Sequence, residues 1–368
     1  MKLSIISTHC ISQQRSKFMV QILQRIKNSL GDCWQIDFYY CGILDEDLAI
    51  QAGVEPHCLI SGKASGVIPR FCLRIFSVHN NKKYDVVMNL SDHSRNWMIY
   101  GAAKLSRAIA VARIVGDSWR SVQSQKMLTR FHTTLRRIEE FSSLYLADRV
   151  ICASEQLRMN LPNSIRSHYK TRVISPGVDT RIFKPDPSVR DRLIDILFVG
   201  RLEPVKDLAS LFDLYEETLK HGNYNLTIVG AGSLSSSVEQ YIAKKSSVTW
   251  LGEVPHTAVA KYMQNSKIVW LGSRAEGFGN VVFEGMACGC IPCVSAVADF
   301  EKIARNYVDV MIMIRDGHIK DAAVEVAKSI DNFKDINARC CIDFVHNYHS
   351  RESVLERWRS VLCETSQC

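Results

Sequence analysis

Two glutamates separated by seven residues flank a glycine-rich turn in the second half of the sequence. Glu276 precedes the turn and Glu284 follows it, in the segment RAEGFGNVVFEGMACG that starts at residue 274. The apolar run over residues 268–271 predicts a buried strand, and Gly277 and Gly279 let the chain turn tightly with a ligand close to the backbone. A carboxylate in such a turn can contact a reacting sugar, and one on the following helix can accept two hydrogen bonds from ribose hydroxyls. The segment therefore predicts a ligand site.

The helix after this turn should begin near Asn280. Its first N–H groups, at Asn280 and Val281, have no partner within the helix and carry the positive end of the helix dipole. Such a terminus suits an anion, for example a phosphate group.

Two cations follow another predicted strand. The apolar residues 196–199 lead into Gly200 and Arg201, and Lys206 lies five residues further on. In a parallel sheet this pattern puts both charges at the carboxyl edge, where α/β proteins bind their ligands.

These segments together resemble the E-x7-E region of retaining GT-B glycosyltransferases, in particular glycosyltransferase family 4. In that family EGFG is followed by EAMA-x-G-x-P, whereas this chain has EGMACGCIP with Gly285 in place of the alanine. The run ILFVGRLEPVKD is similar to the family's strand-G-R-L-x3-K-G, with Asp207 replacing the final glycine. Upstream, VISPGVD and then FKP resemble the family's hinge between two domains. The similarity is dense from about residue 173 to 303 and returns over residues 344–363.

The resemblance implies an enzyme that moves a sugar from a nucleotide-sugar donor to a glycan, a lipid-linked or a small-molecule acceptor. Transfer would retain the anomeric configuration and need no metal or other cofactor. The alternative is a non-catalytic homologue that binds a sugar nucleotide or a glycan. A glycine loop that many relatives carry after the first strand is missing from residues 8–14, and this departure keeps the alternative open.

The resemblance also implies roles for individual residues of the second domain. Glu276 would act in catalysis and hold the donor sugar together with Gly277 and Phe278, and Glu284 would hold the ribose. The residues that would bind the donor diphosphate are Arg201, Lys206, Gly279, Asn280 and Val281. Those that would bind the nucleobase are Gly252, Glu253 and Val254.

Asp117 is the catalytic candidate of the first domain. It follows a strand predicted over residues 108–115, where many relatives carry a His or Asp that faces the reacting sugar. An ordinary helix N-cap explains an Asp at this position equally well. His93, after the strand predicted over residues 85–90, is a weaker candidate.

The predicted fold is α/β and GT-B, with two Rossmann-like doubly wound domains that face a central cleft. We predict an acceptor domain over residues 1–180, completed by a helix at 346–368, and a nucleotide-sugar domain over residues 181–345. A chain of 368 residues with 46% apolar residues can form two cores. Besides 85–90 and 108–115, strands are predicted in the first domain at residues 3–6, 35–40, 150–153 and 172–175.

Charge is distributed unevenly along the sequence. Residues 1–172 hold 24 Lys and Arg against 13 Asp and Glu, whereas residues 173–368 hold 22 against 25. Basic residues cluster in the first half at Lys104, Arg107, Arg113, Arg120, Lys126, Arg130, Arg136 and Arg137. This cluster is compatible with a peripheral membrane contact or an anionic acceptor, and also with a solvated helix face. Patterns typical of nucleic-acid binding are absent from the sequence.

Cysteine usage and hydropathy favour a cytoplasmic protein, and the basic cluster is compatible with a peripheral position at the inner membrane face. The 13 cysteines are odd in number and scattered, which favours buried thiols over a disulfide framework. Apolar stretches fall short of the roughly 20 residues of a membrane span.

Three motifs invite other interpretations. The C-x-C-x2-C of residues 288–293 lacks a fourth metal ligand, and the acidic residues 45–47 suit a helix start as well as a D-x-D metal motif, so no metal site is predicted. Residues 230–232 begin a dinucleotide fingerprint that Ser235 leaves incomplete. An NAD-dependent oxidoreductase is therefore disfavoured.

Overall fold

The computed structural model describes most of the chain. The described residues are 1–11, 34–42, 44–60, 82–89, 96–116, 141–167, 170–307, 311–315 and 317–363, with single residues and pairs at 19–20, 23–24, 26–27, 77 and 138. Statements about contacts below refer to these residues.

The chain divides into two compact units. Unit 1 contains residues 1–175 and 354–368, and unit 2 contains residues 176–353. Each unit is built around its own parallel sheet and its own apolar core.

Unit 1 has a seven-stranded parallel sheet with the strand order β3-β2-β1-β4-β5-β6-β7. Its strands are β1 Lys2–Ile11, β2 Gln35–Gly42, β3 Glu55–Ile60, β4 Val86–Asn89, β5 Ile109–Ile114, β6 Arg149–Cys152 and β7 Thr171–Val173. All six strands predicted for this half are present. The seventh, β3, escaped prediction because its sequence begins with Glu55, Pro56 and His57, which are unusual in strands. As an edge strand, β3 tolerates the missing N–H of Pro56.

Short helices accompany this sheet. They are α1 Glu46–Gln51, α2 Asn96–Leu105, α3 Glu155–Met159 and α4 Asn163–Arg166. The core between helices and sheet includes Leu3, Phe38 and Val86, and the end of the chain contributes Val354 and Trp358 to it. The predicted closing helix therefore belongs to unit 1 over its later turns.

Unit 2 has a six-stranded parallel sheet with the order β10-β9-β8-β11-β12-β13. Its strands are β8 Ile194–Val199, β9 Leu226–Val229, β10 Val248–Trp250, β11 Ser266–Leu271, β12 Ile291–Ser295 and β13 Ile312–Ile314. The central strands are buried on both faces, as parallel strands covered by helices must be.

The helices of unit 2 alternate with these strands. They are α5 Leu208–Thr218, α6 Ser235–Ile242, α7 His256–Gln264, α8 Asn280–Ala287, α9 Phe300–Asn306, α10 Ile319–Asp331 and α11 Asp335–Phe344. A short 3₁₀ turn at Pro204–Lys206 precedes α5, and a π-helical turn at Val345–His349 precedes the last helix, α12 Arg351–Cys363.

The hinge-like motif at residues 173–179 lies where the chain enters unit 2. The N–H of Val178 donates to the carbonyl of His349 at 2.8 Å. Asp179 accepts from Arg181 at 2.7 Å and from Arg351 at 3.1 Å. The hydrogen bonds from Arg181 lower the pKa of Asp179, so this carboxylate stays charged. Entry and exit segments of unit 2 are thereby tied to each other.

None of the helices within the described ranges combines the length and the apolar character that a membrane crossing requires.

Candidate functional site

The strand order of unit 2 places two loops side by side at the carboxyl edge of its sheet. β8 and β11 are neighbours and parallel, and the strand order reverses between them. The loop after β8 carries Arg201 and Lys206, and the loop after β11 carries Glu276. Crevices at such a reversal point are where open α/β sheets bind ligands.

Lys206 and Glu276 form an ion pair across these two loops. The Lys206 ammonium donates to Glu276 Oε1, and the two side chains are only 18% and 15% exposed. Ser273 Oγ donates to the same oxygen at 2.9 Å. Ser273 is fixed in turn, since its carbonyl accepts from Ser295 Oγ at 2.6 Å. The sequence argument named the first two residues and missed both serines.

Arg201 differs from Lys206 in its surroundings. It is exposed, and its guanidinium has no hydrogen bond or ion pair within the described part of the chain. Glu203 is held by Ser233, whose hydroxyl donates at 2.7 Å. Those hydrogen bonds, with a smaller contribution from the charge of Arg201, lower the pKa of Glu203. One cation of the site is therefore paired and the other points its charge to solvent.

Asp207 explains one departure from the family pattern. Its φ is +50°, the left-handed region in which the family's glycine is at ease and Asp is among the tolerated residues. Its carboxylate accepts from Arg274 at 3.0 Å and from Ser210 at 3.0 Å. The N–H of Arg274 also donates to the carbonyl of Val205 at 2.9 Å. These contacts tie the two loops on either side of the Lys206–Glu276 pair.

Gly279 sets the start of α8. Its φ is +83°, and a Cβ at this position would lie 2.6 Å from Phe300 Cζ and 3.1 Å from Leu271 Cδ2. As the N-cap residue it offers no side chain to the first turn, so the N–H groups of Asn280 and Val281 keep their capacity for an anion. The predicted helix start at Asn280 is confirmed.

Glu284 lies inside α8 and is almost fully buried, with its side chain 8% exposed. His256 Nε2 lies 3.1 Å from Glu284 Oε1. A histidine ring nitrogen and a carboxylate oxygen at this distance can share one hydrogen bond. His256 itself packs edge-on against Phe183, with ring centroids 5.1 Å apart. His256 was not singled out from the sequence, where a histidine after a proline gives no signal of its partner.

Gly285 explains the second departure from the family pattern. A Cβ here would lie 2.8 Å from Val269 Cγ1 and 3.0 Å from Val269 Cβ. The alanine usual in the family does not fit against this valine of β11.

The predicted nucleobase loop follows β10. Gly252 has a φ of +65°, and its carbonyl accepts from the N–H of Gly230 at 2.7 Å. Glu253 is exposed and Val254 is partly buried. A Cβ on Gly230 would lie 1.9 Å from the carbonyl oxygen of Gly200, so the loops after β8 and β9 cross in direct backbone contact. The loops after β8, β9, β10 and β11 thus form one edge.

The cysteines of residues 288–293 are buried core residues. Burial raises the pKa of the Cys290 thiol to about 11, although Arg192 beside it acts in the opposite direction. Burial also raises the pKa of Cys288 and Cys293. Arg192 donates to the carbonyls of Ser266 at 2.6 Å and Cys288 at 2.8 Å. Among the described residues these thiols do not form a group of three metal ligands.

Several candidate residues of unit 1 lie outside the described residues. Asp117 and His93 lie outside the described residues, as do Arg120, Lys126, Arg130, Arg136 and Arg137 of the basic cluster. Asp45 is the N-cap of α1, where it accepts from the N–H of Leu48 at 3.1 Å. Its role as a helix cap is confirmed.

The sequence of unit 2 is similar to a known family of proteins. Residues 179–338 match the family described as glycosyl transferases group 1. An uncharacterized glycosyltransferase of Methanocaldococcus jannaschii is 30% identical over 144 residues, which cover 39% of this chain and 38% of that protein. The chain spans about two-fifths of the length of such curated relatives.

Solved structures extend the similarity to the fold of both units. The Anabaena protein HepE in complex with UDP matches with a TM-score of 0.78 at 16% identity, over 99% of this chain and all of that one. Sucrose-phosphate synthase from Thermosynechococcus elongatus matches with a TM-score of 0.74 at 17% identity, over 97% of each chain. The fold is that of GT-B glycosyltransferases, as the sequence predicted.

Proposed function

We propose that this chain, which carries a group 1 glycosyl transferase domain over residues 179–338, transfers a sugar from a nucleotide-sugar donor to a hydroxyl of a glycan, a lipid-linked or a small-molecule acceptor. The proposed transfer retains the anomeric configuration and uses no metal ion.

The observation that carries this proposal is the pairing of Lys206 with Glu276 beside the uncapped start of α8. A nucleotide sugar combines an anionic diphosphate with a neutral polyhydroxylated ring. Lys206, Arg201 and the helix N–H groups match the first part, and Glu276 matches the second. In the donor's absence, the paired charges of Lys206 and Glu276 satisfy each other. We propose that the diphosphate recruits Lys206, which frees Glu276 for the sugar hydroxyls while Ser273 keeps its position.

The proposed chemistry is a same-face displacement. The bond between the anomeric carbon and the β-phosphate oxygen breaks, and its electron pair goes to the phosphate. The acceptor oxygen then bonds to the anomeric carbon, and its proton passes to the leaving phosphate. The nucleoside diphosphate leaves as an anion while the sugar gains cationic character, so fixed positive groups at the phosphate and the carboxylate of Glu276 lower the barrier.

The contacts of Glu284 support a ribose role. Its carboxylate is buried and contacts His256 at 3.1 Å, and a buried carboxylate is a suitable acceptor for ribose hydroxyls. We propose that unit 1 binds the acceptor and that Asp117 is its catalytic residue, facing the reacting sugar.

A second function is a sugar-nucleotide-binding protein without turnover. The residues that would decay first in such a protein, Arg201, Lys206, Glu276 and Glu284, are all present. A binding protein would take up the nucleotide but release no free nucleoside diphosphate.

One thermal-shift screen tests the proposal. Melting temperature is measured with UDP, GDP, ADP, CMP, their sugar conjugates and NAD, and a coupled assay then follows release of the nucleoside diphosphate with the best conjugate. A shift with one nucleoside diphosphate and its conjugate, together with its release, supports a transferase. A shift without release supports the binding protein, and a shift with NAD alone contradicts both.

Metal independence is tested separately. Initial rates of transfer should stay unchanged within minutes of adding excess EDTA. The reason is that lysine and arginine side chains, rather than a metal ion, neutralise the diphosphate. The melting temperature is recorded on the same sample, since unfolding would lower the rate for another reason. Loss of rate with an unchanged melting temperature, and rescue by Mg²⁺ or Mn²⁺, would contradict the proposal.

A further inference from the structure

A compact cluster of possible metal ligands lies in unit 1, remote in sequence from the candidate site of unit 2. Asp37 on β2 is paired in register with Glu55 on β3, and His57 lies two residues further along β3. His57 Nε2 is 3.8 Å from Asp37 Oδ2 and 3.8 Å from Glu55 Oε1. All three ligand atoms lie within 4.8 Å of one another. We call these three residues the amino-edge cluster, because they lie near the beginnings of their strands.

The two 3.8 Å distances from His57 Nε2 are too long for hydrogen bonds. They are close to the separations between ligand atoms that surround one metal ion. A claimed hydrogen bond at 3.8 Å is not one. Zinc bonds of 2.0–2.2 Å in a tetrahedron hold neighbouring ligand atoms about 3.3–3.6 Å apart. The imidazole nitrogen therefore needs to approach each carboxylate oxygen by less than about half an ångström to share an ion with it.

Two buried atoms of the cluster have unused capacity. Asp37 is 2% exposed, and its Oδ1 has no hydrogen-bond partner among the described residues. His57 Nε2 is likewise buried and without such a partner there. Buried polar atoms are rarely left in this state, and an unseen ion is one of the standard explanations. The observation concerns hydrogen bonding alone and is independent of the spacing of the three ligands.

The other oxygen of Asp37, Oδ2, is the atom that lies 3.8 Å from His57 Nε2, and it already accepts hydrogen bonds, so the unused capacity of this carboxylate lies on Oδ1. Tyr84 donates to Oδ2, and Lys82 Nζ lies 3.3 Å from it. Burial and the hydrogen bond to Asp37 raise the pKa of Tyr84, so its phenol remains a donor. Carboxylates that bind metals are themselves commonly oriented by such outer hydrogen bonds. Tyr39 stacks on His57 with ring centroids 4.8 Å apart and fixes the plane of the imidazole.

We propose that Asp37, Glu55 and His57 bind one divalent transition-metal ion, with Zn²⁺ as the best match. One imidazole and two carboxylates are ligands that zinc accepts, with a water as the fourth. The ion would link edge strand β3 to β2, and the proposed transfer does not use it. The inference does not depend on the proposed function.

The experiment compares zinc binding by the full chain and by single variants. Chain freed of metal with a chelator is titrated with Zn²⁺ by calorimetry, and then with Co²⁺, whose visible spectrum reports coordination by nitrogen and oxygen. The 13 cysteines make stoichiometry the essential readout. Wild type should bind one more equivalent than His57→Gln, or bind that equivalent more than about 100-fold more tightly, since even outer partners are worth 10- to 100-fold.

Further variants separate the site from its surroundings. Tyr84→Phe should weaken zinc binding by about 10- to 100-fold through the outer shell. Lys82→Met should strengthen it, because a positive charge beside Asp37 is removed. His318→Gln is the matched control, since His318 contacts Asp321 at 2.9 Å on the surface of unit 2 without a third ligand. It should leave the zinc titration unchanged.

The outcomes are distinct. Equal zinc stoichiometry and affinity in wild type and His57→Gln would overturn the proposal and show adventitious binding elsewhere. Mg²⁺ or Ca²⁺ binding as tightly as Zn²⁺ would overturn the assignment to a transition metal. Should His57→Gln fail to fold, Glu55→Gln serves instead, because the Glu55 side chain is 56% exposed and makes no packing contribution that folding requires.

Discussion

The two units have related sheets but place their charged clusters at opposite ends of the strands. Both sheets are parallel, and in both the strand order runs outward from the first strand and then reverses to the other side. In unit 2, Lys206 and Glu276 lie beyond the carboxyl ends of β8 and β11. In unit 1, the described cluster of Asp37, Glu55 and His57 lies near the amino ends of β2 and β3.

The difference separates function from stability. At a carboxyl edge the loops are free to vary and the helix N-termini converge, so charge there can serve a ligand. At an amino edge the charges are embedded in the strands themselves, and Asp37 is far more buried than Arg201. We therefore expect changes at Lys206 and Glu276 to alter turnover. Changes in the amino-edge cluster should alter metal binding and unfolding. The predictions below test this division.

The largest effect is expected from removal of the cations. The double variant of Arg201→Ala and Lys206→Ala should lower turnover on the order of 100-fold or more, since it removes donors that stabilise the leaving diphosphate. Lys220→Ala is the control, because Lys220 is a surface lysine of the same unit, 62% exposed and paired with Glu217. Turnover with the donor found in the screen is the measurement. Near-normal turnover in the double variant would contradict the assignment of the diphosphate site.

The two glutamates should differ in kind. Glu276→Gln keeps the shape but removes a charge needed as the sugar becomes cationic, so it should mainly lower kcat. Glu284→Gln should weaken binding of donor and free nucleoside diphosphate alike, by about 1 to 3 kcal/mol. Glu325→Gln, at an exposed glutamate paired with Lys328, is the matched control.

Calorimetry with the free nucleotide decides between the two roles. If Glu276→Gln weakened nucleotide binding while Glu284→Gln left it unchanged, the roles would have to be exchanged. If neither did, the carboxyl edge of unit 2 would not be the nucleotide site.

Replacing a glycine by alanine should have opposite effects on stability at Gly279 in unit 2 and at Gly101 in unit 1. Gly279→Ala should lower the free energy of unfolding by about 1 to 3 kcal/mol, since its φ is +83° and a Cβ would meet Phe300. Gly101→Ala, within α2, should raise it by about 0.4 to 1 kcal/mol, because nothing lies within 4 Å of a Cβ there and alanine favours the helix. Denaturant titrations of both variants give the two changes. If both variants changed the free energy of unfolding in the same direction, the turn before α8 would not be constrained as described.

The smallest effect is expected from Arg274→Ala. The Arg274 side chain is 69% exposed, so its ion pair with Asp207 should contribute less than about 1 kcal/mol to stability. Asp207→Gly should cost equally little, because glycine suits the φ of +50°. A loss above 2 kcal/mol in either variant, measured by thermal unfolding, would mean that the tie between the two loops is part of the core.

The sequence predicted unit 2 in more detail than unit 1, for physical reasons. The strands β8 and β11 contain the apolar runs 196–199 and 268–271, each followed by a glycine, and such runs can be recognised without knowledge of their neighbours. The sequence placed Lys206 and Glu276 at the same edge of the sheet but did not predict their ion pair. Ser273 and His256 could not be predicted, because a serine or histidine acquires its role from a partner brought close only by the tertiary structure.

The amino-edge cluster illustrates the same limit. Its members belong to two strands, and β3 has neither the alternation nor the composition of a typical strand. Asp37 sits in an apolar segment where a carboxylate gives no sign of its burial. The ligand set exists only once Asp37 and Glu55 are in register.

The contact between Gly285 and Val269 constrains how this sequence can change. An alanine at position 285 meets Val269 within 2.8 Å, so it is acceptable only after position 269 has lost its branched side chain. That order leaves a gap beside Gly285 until the alanine is introduced, whereas the reverse order produces the clash. Position 269 must therefore change before position 285. As long as β11 carries Val269, the helix that carries Glu284 requires glycine at position 285.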